Sequence, residues 1–434
     1  MSILSQFKQS QNTDFPNVRP SLDLRFALTK KLDPRITFTR GSTGTYFGSD
    51  GIMRTAGVNE PRFDHDPITG QSLGLMVEES RTNLVRNNTA QGAVVGTPGT
   101  NPTNSYFFIA PSGITREITS IGTENGITYF DVRYYGVSAS SGELSWVPQT
   151  ATNTPITGGQ VVSASAYLKV VSGTFANITN LTVRILDYNS GSYLAESSTA
   201  VSASSLQSST LTRYNHTRTT GASANGVVFS ISFNKNSAGP VDITLRIGMP
   251  QIEVGSFPTS VIPNSSISST VTRSADLASM TGTNFSSWFN SSEGTLYANA
   301  KSNTNSFLPT GVAAINNSSS PTANRVDLRY YQSGNSYTFF NGVGGGGSSI
   351  FRTSGFSLTN PKFVVSYASQ NVNFCVNSSL TSSRASAFVP SPLVNTLRIG
   401  TFDAGTSYYL NGTISRLTYY PIQLTNQQLI NLSS

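Results

Sequence analysis

Phe229, Ile231 and Phe233 alternate with Ser230, Ser232 and Asn234, and shortly afterwards Ile243, Leu245 and Ile247 alternate with Thr244, Arg246 and Gly248. Successive side chains of a strand point to opposite faces, so each run carries one apolar face and one polar face. Further strand-like runs lie in "VVSASAYLKV" and "LTVRILDY" before them and in "RVDLRYY", "KFVVSYAS", "NVNFCVN" and "GTISRLTYY" after them, punctuated by Gly, Asn and Ser. Many short runs with this period predict antiparallel sheets stacked as sandwiches. Helix signals are weak. "LTNQQLINLSS" at the C-terminal end is the one segment that reads as a helix, with Thr425 as its N-cap. The fold class is therefore all-β: a hairpin-rich N-terminal docking module followed by two antiparallel β-sandwich or jelly-roll domains.

What lies on the polar faces narrows the function. Charged residues make up 11% of the 434 residues, against roughly 25% in ordinary soluble domains; Ser, Thr, Asn and Gly take their place. The net charge of +7 is dispersed, and the longest basic run is Lys30-Lys31. A nucleic-acid binder gathers its basic residues on a stripe or arm, so no nucleic-acid partner is expected. No apolar window is long enough to span a membrane, so no membrane partner is expected either. "MSILSQFKQSQNTDFPNV" lacks the apolar core of a signal peptide, and synthesis in a cytoplasm is the expectation. The single cysteine, Cys375, excludes an intrachain disulfide and a cysteine-based zinc site; its alternating neighbours make it a small buried strand residue.

Charge also divides the chain. Residues 1–84 carry 10 basic and 9 acidic residues, against 18 and 12 in the remaining 350. On this basis residues 1–20 read as a polar N-terminal arm and 21–86 as a charged docking module of short strands. Within the module, "RITFTR" places Ile36 and Phe38 on one face and Thr37 and Thr39 on the other. "TYFGSDGIMRT" reads as a hairpin turning at Asp50-Gly51, and "RFDHDPITGQSLGLMVEE" as another with Pro67 and Gly70 in its turn. Residues 87–265 then form one jelly-roll sandwich, 266–276 a Ser/Thr-rich linker, and 277–434 a second sandwich with a short terminal helix.

Within residues 23–84 the succession "LDPRITFTR", "STGTY", "PRFDHDP" and "GLMVEESRTNL" resembles an N-terminal motif recurrent in virion proteins of tailed bacteriophages. "LRIGMPQIEVGSFPTSVIPNSSISSTVTRSAD" looks like the last strand of the carbohydrate-binding-type jelly roll that often follows that motif. "LRIGTFDAGTSYYLNGTISRLTYYPIQLTNQQLINL" resembles the closing strands of concanavalin A-like sandwiches. The resemblance implies a fibre- or spike-type structural protein of the virion, assembled in the host cytoplasm. It implies a homotrimer and, as partners, other virion proteins of the portal, tail or capsid. Lectin-like folds do not by themselves establish sugar binding.

Little in the chain suits catalysis. Only His65 and His216 exist, no Gly-x-Ser-x-Gly elbow occurs, and "GVGGGG" lacks the Gly-Lys-Ser/Thr of a phosphate loop, so it reads as a hairpin tip. "RFDHDP" could orient His65 or hold a cation between Asp64 and Asp66. The alternative pairs these carboxylates with Arg62, Arg40 or Arg54, an arrangement that favours one geometry of assembly. Glu78-Glu79 resembles a glycosidase pair, but adjacent strand residues face opposite ways. Catalytic residues, metal ligands and cofactors are therefore assigned as none. The assembly candidates are Arg35, Arg40, Arg54, Arg62, Asp64 and Asp66.

Aromatic side chains on a low-charge surface suit host-surface glycans, because rings stack on sugars. The glycan-contact candidates are Tyr330, Tyr331, Tyr337, Tyr408 and Tyr409. Tyr408-Tyr409 and Tyr419-Tyr420 are adjacent pairs, so one member of each is expected to point outward. The reading is a non-enzymatic structural protein, a short fibre- or spike-like appendage with lectin-like domains. The alternatives are a capsid decoration or cement protein without a ligand, and a virion glycan depolymerase.

Overall fold

The computed structural model describes residues 16–207, 209–303, 310–319, 325–331, 336–343, 346–353, 361–368, 371–384, 394–403 and 407–434. It is all-β, with strands paired antiparallel throughout the described sheets. The chain divides into two compact units. One comprises residues 16–51, 56–79 and 274–434; the other comprises Ile52–Thr55 and Ser80–Arg273, so it interrupts the first in sequence.

The interrupting unit holds two five-stranded sheets. In one, Thr212–Thr219, Val161–Gly173, Gly239–Val254, Ile127–Ser138 and Ile114–Glu124 lie side by side. In the other the order is Ser192–Val201, Ile178–Asn189, Gly226–Lys235, Gly142–Val147, Tyr106–Ile109. From Ile127 to Val254 every connection crosses between sheets except the hairpin at Ser190-Gly191. That order is the jelly roll expected for 87–265. The alternation read from the sequence explains its core: Phe229, Ile231, Phe233, Ile243, Leu245 and Ile247 are buried together with Phe130 and Trp146. The hydroxyls between them are paired, as in Ser230–Ser232 at 2.6 Å and Ser232 Oγ donating to Glu143 at 2.9 Å.

The other unit is a sandwich of an eight-stranded and a seven-stranded sheet. Its central strand, Gly412–Tyr420, pairs on one side with Gly294–Ser302 and on the other with Leu22–Leu24 and Ser72–Val77. In the facing sheet, Thr37–Thr39 pairs with Leu277–Thr281. The expected module at 21–86 is thus not separate. Its strands of three to six residues are too short to enclose a core of their own. Leu22, Leu24, Phe26, Ile36, Leu75 and Val77 instead complete the core formed by Met280, Trp288, Leu296, Phe374 and Leu417. Phe38 packs on the same core while Thr37 and Thr39 face outward. Part of the expected linker is also ordered, since Val271–Arg273 pairs with Arg81–Asn83 inside the jelly-roll unit.

The eight-stranded sheet also carries a core on its other face. Tyr297, Val364, Cys375 and Tyr420 form a second core under Leu424 and Leu429. Leu429 belongs to the terminal helix Asn426–Leu432, which begins at the expected N-cap: Thr425 Oγ1 accepts from Gln428 N–H, and Gln428 Oε1 accepts from Thr425 N–H at 3.0 Å. The helix overturns one expectation. Tyr419 and Tyr420 point to opposite faces, yet both are buried, because the helix covers the second face.

Candidate functional site

Arg40 and Arg62, read from the sequence as assembly residues, lie inside the larger sandwich at 1% and 0% exposure. Asp276 receives both: Arg40 Nη1 at 3.0 Å on Oδ1 and Arg62 Nη2 at 2.5 Å on Oδ2. Arg62 Nη1 also reaches Glu78 Oε2 at 2.8 Å and donates to Thr45 O at 3.0 Å. Arg40 adds Ser42 O at 2.9 Å and Gly57 O at 2.7 Å. Gly44 makes room for this stack: a Cβ there would sit 3.2 Å from Arg40 Nε and Arg62 Cδ. Burial pulls the Arg62 guanidinium down, and Asp276 and Glu78 more than offset it, holding its pKa above the ordinary arginine value. A buried pair of this kind favours one chain path over others more than it adds net stability.

The remaining assembly candidates do not join this cluster as expected. Asp64 does not pair with an arginine in the way read from the sequence; it accepts from Phe47 N–H at 2.8 Å, and burial pushes its carboxyl up to about 6. Asp66 builds the hairpin turn, with Oδ1 accepting from Ile68 N–H, Thr69 N–H and Thr69 Oγ1. Arg35 pairs locally with Asp33 at 2.8 Å, and Arg54 is exposed on the strand Met53–Ala56. Sequence reasoning missed Asp276 and Glu78 as the arginines' partners. The available signal was a lone acid closing a Ser/Thr-rich connector in a chain with few acids.

No catalytic arrangement appears at either histidine among the described residues. His65 Nδ1 meets Phe47 O at 2.9 Å. His216 lies between Ser197 Oγ at 2.7 Å and Thr199 Oγ1 at 3.0 Å, so a hydroxyl stands where a triad would place a carboxylate. Burial, and then Arg218, lower the His216 pKa. Glu79 turns away from Glu78 to Asn411, whose Nδ2 lies 3.2 Å from its Oε2. No group of three potential metal ligands occurs among the described residues.

Of the glycan-contact candidates, Tyr409 is core and Tyr408 is half-buried, stacked on Phe402 with ring centres 4.4 Å apart. Tyr330 and Tyr337 are cross-strand partners and Tyr331 pairs with Ser336, but their side chains lie outside the described residues. A groove of about 430 Å³ that the aromatic pattern did not signal is lined by Asn371, Asn373, Gln423, Leu424, Thr425 and Asn426. Its sequence trace is the amide alternation of "NVNFCVN" and the amide run of "QLTNQQ".

No protein-family model matches the chain, and no curated protein matches it. Among solved structures it is similar to the CBM40 of the IT-sialidase from Ruminococcus gnavus, bound to α2,6-sialyllactose. The identity is 14% and the TM-score 0.31, over 35% of this chain and 88% of that one. Domain 4 of AbnA, a GH43 extracellular arabinanase from Geobacillus stearothermophilus, matches at 13% identity and TM-score 0.31, over 37% and 73%. The NanB sialidase from Streptococcus pneumoniae matches at 15% identity and TM-score 0.29, over 36% and 26%.

Proposed function

We propose that this chain is a non-catalytic structural component of a tailed-phage virion, a short fibre- or spike-like appendage that contacts host-surface glycans. The observation that carries the reading is the motif of residues 23–84, which resembles the N-terminal motif of tailed-phage virion proteins; the enclosure of Arg40 and Arg62 by Asp276 and Glu78 supports its non-catalytic part. The charges that made the N-terminal segment look chemically active are occupied in closing a sandwich. A surface of hydroxyls and amides supports a role in contact with sugars and with copies of itself, here as a homotrimer. Attachment to the particle falls to the polar arm, of which residues 1–15 lie outside the described residues.

Immunogold labelling of intact particles with antibody to the purified chain tests the reading, with label expected at an external position. Particles that never carry the label would overturn it. Release of reducing ends from host polysaccharide by the purified protein would replace it with a depolymerase.

A further inference from the structure

The jelly-roll sheet that runs from Ser192–Val201 to Tyr106–Ile109 turns Leu181, Val183, Phe229, Ile231, Leu144 and Trp146 into the core. The residues between them share the outer face. There Thr182, Ser232, Ser145 and Phe108 stand in one row across four strands. In the next row Arg184 pairs with Ser230, and Val147 with Tyr106. This face is not flat. Tyr106 and Tyr193 belong to the two edge strands, yet their hydroxyls are hydrogen-bonded; burial and then this bond raise the Tyr106 pKa. Four gaps of about 4.8 Å separate the edges of a flat five-stranded sheet, more than two tyrosines joined at their hydroxyls span. The sheet and its Ser190-Gly191 hairpin therefore curl into a trough. Tyr188 closes the same end, its ring centre 5.8 Å from that of Tyr193, against Val147 and Val228.

Away from the tyrosines the trough is polar and open. Arg184 reaches across the sheet: Nη2 donates to Glu143 Oε1, and Nη1 lies 3.4 Å from Glu196 Oε2. Glu143 Oε1 also accepts from Ser232 Oγ at 2.9 Å. Glu143 Oε2 takes none of these bonds, and the side chain is 23% exposed. Phe108 is 50% exposed and Tyr193 59%. Phe108 and Glu143 are diagonal neighbours on adjacent strands, about 7–8 Å apart, a spacing that one hexose covers. An exposed ring takes the C–H face of a sugar, and a carboxylate oxygen accepts from its hydroxyls. Charge then selects among ligands. One guanidinium meets two carboxylates here, so the trough is net negative and a uronate or sialate brings like charge. A second copy packed on it would strip water from all three ions.

We propose that this trough binds a neutral hexose unit of a glycan, its apolar face on Phe108 and a hydroxyl donating to Glu143. The proposal rests on the glycan-contact reading, names its ligand class, and places the contact on the jelly roll and not on the tyrosines of the other sandwich.

The test is calorimetric titration of the full chain with neutral trisaccharides of glucose, galactose and mannose, and with uronate-containing and sialylated trisaccharides as the charged comparison. A neutral ligand is expected to bind best. Phe108→Ala is expected to weaken it at least tenfold and Glu143→Gln several-fold. Phe108 lies outside the core, so Phe108→Ala decides alone if Glu143→Gln does not fold. Neutral-sugar binding that both variants retain, or a preference for the acidic sugars, would overturn the trough while leaving glycan contact standing. Loss of self-association in Phe108→Ala with sugar binding intact would give the face to a second copy instead. If no saccharide binds, the trough and the glycan reading fail together.

Discussion

Glu78 and Asp276 are 198 residues apart in sequence and hold each other by the backbone: Glu78 N–H donates to Asp276 Oδ2 at 2.9 Å, and Asp276 N–H donates to Glu78 O at 2.9 Å. They mark where the chain leaves the larger sandwich and where it returns. Arg62 grips both carboxylates and so ties the exit to the re-entry.

Asp276→Ala leaves two buried arginines without their shared acceptor. Breaking a buried pair by removing one partner costs about 3–5 kcal/mol. The two tryptophans separate the effect, since Trp288 lies in the larger sandwich and Trp146 in the jelly roll. Urea unfolding followed by Trp288 fluorescence in a Trp146→Phe background should show a lower midpoint. An unchanged midpoint would contradict the role given to the cluster. Arg133→Ala, which removes a pair with Asp242 on the jelly-roll surface, should not move the midpoint measurably.

Asp64 makes the fold sensitive to pH. Folding raises this carboxyl from 3.8 to about 6, so the native state keeps a proton that the unfolded chain has already released. Stability contributed by this group therefore falls as pH rises from about 4 to about 6 and stays lower above that. Asp64→Asn keeps an acceptor for Phe47 N–H and removes the ionisation. The variant should be more stable than the parent at pH 7, by about 1–3 kcal/mol, and the gain should vanish near pH 4. Denaturation midpoints at several pH values check this; equal differences at all pH values would refute it.

Gly74 permits the Ser72–Val77 strand to join the sheet. Its φ is +97°, and a Cβ there would lie 2.1 Å from Ile414 O. Gly74→Ala should destabilise the larger sandwich by about 1–3 kcal/mol or more. Hydrogen exchange offers the sharper readout: amides of 72–77 should lose protection first.

Thr425→Ala removes the helix cap and should lower stability by about 1 kcal/mol. Faster labelling of Cys375 by a thiol reagent should accompany it, because Cys375 lies under that helix, its Sγ 3.2 Å from Ser433 Oγ. Unchanged labelling would mean that the helix stays docked without its cap.

Features that depend on neighbours in sequence were legible beforehand. The alternation around Phe229 and Ile243 placed both runs in one core, and Thr425 announced the helix. Features that depend on distant partners were not. Asp276 lies 236 residues from Arg40 and 214 from Arg62, and nothing local couples them. Period two likewise assigned Tyr419 and Tyr420 to opposite faces but could not show that a helix covers the second. The groove escaped notice for a related reason: Asn373 and Gln423 meet only when that helix folds back on the sheet.

The interrupted sandwich sets a schedule for synthesis. The strand Ser72–Val77 leaves the ribosome early, but its partner Gly412–Tyr420 comes last, after the whole jelly roll. At about 5–20 residues per second, the wait is on the order of twenty seconds to a minute. The jelly roll, nearly continuous in sequence, can fold meanwhile. Leu22, Leu24, Leu75 and Val77 must spend that interval without the core that will cover them. An early polypeptide with open strand edges is a natural client for a chaperone, and a vulnerable one at high expression.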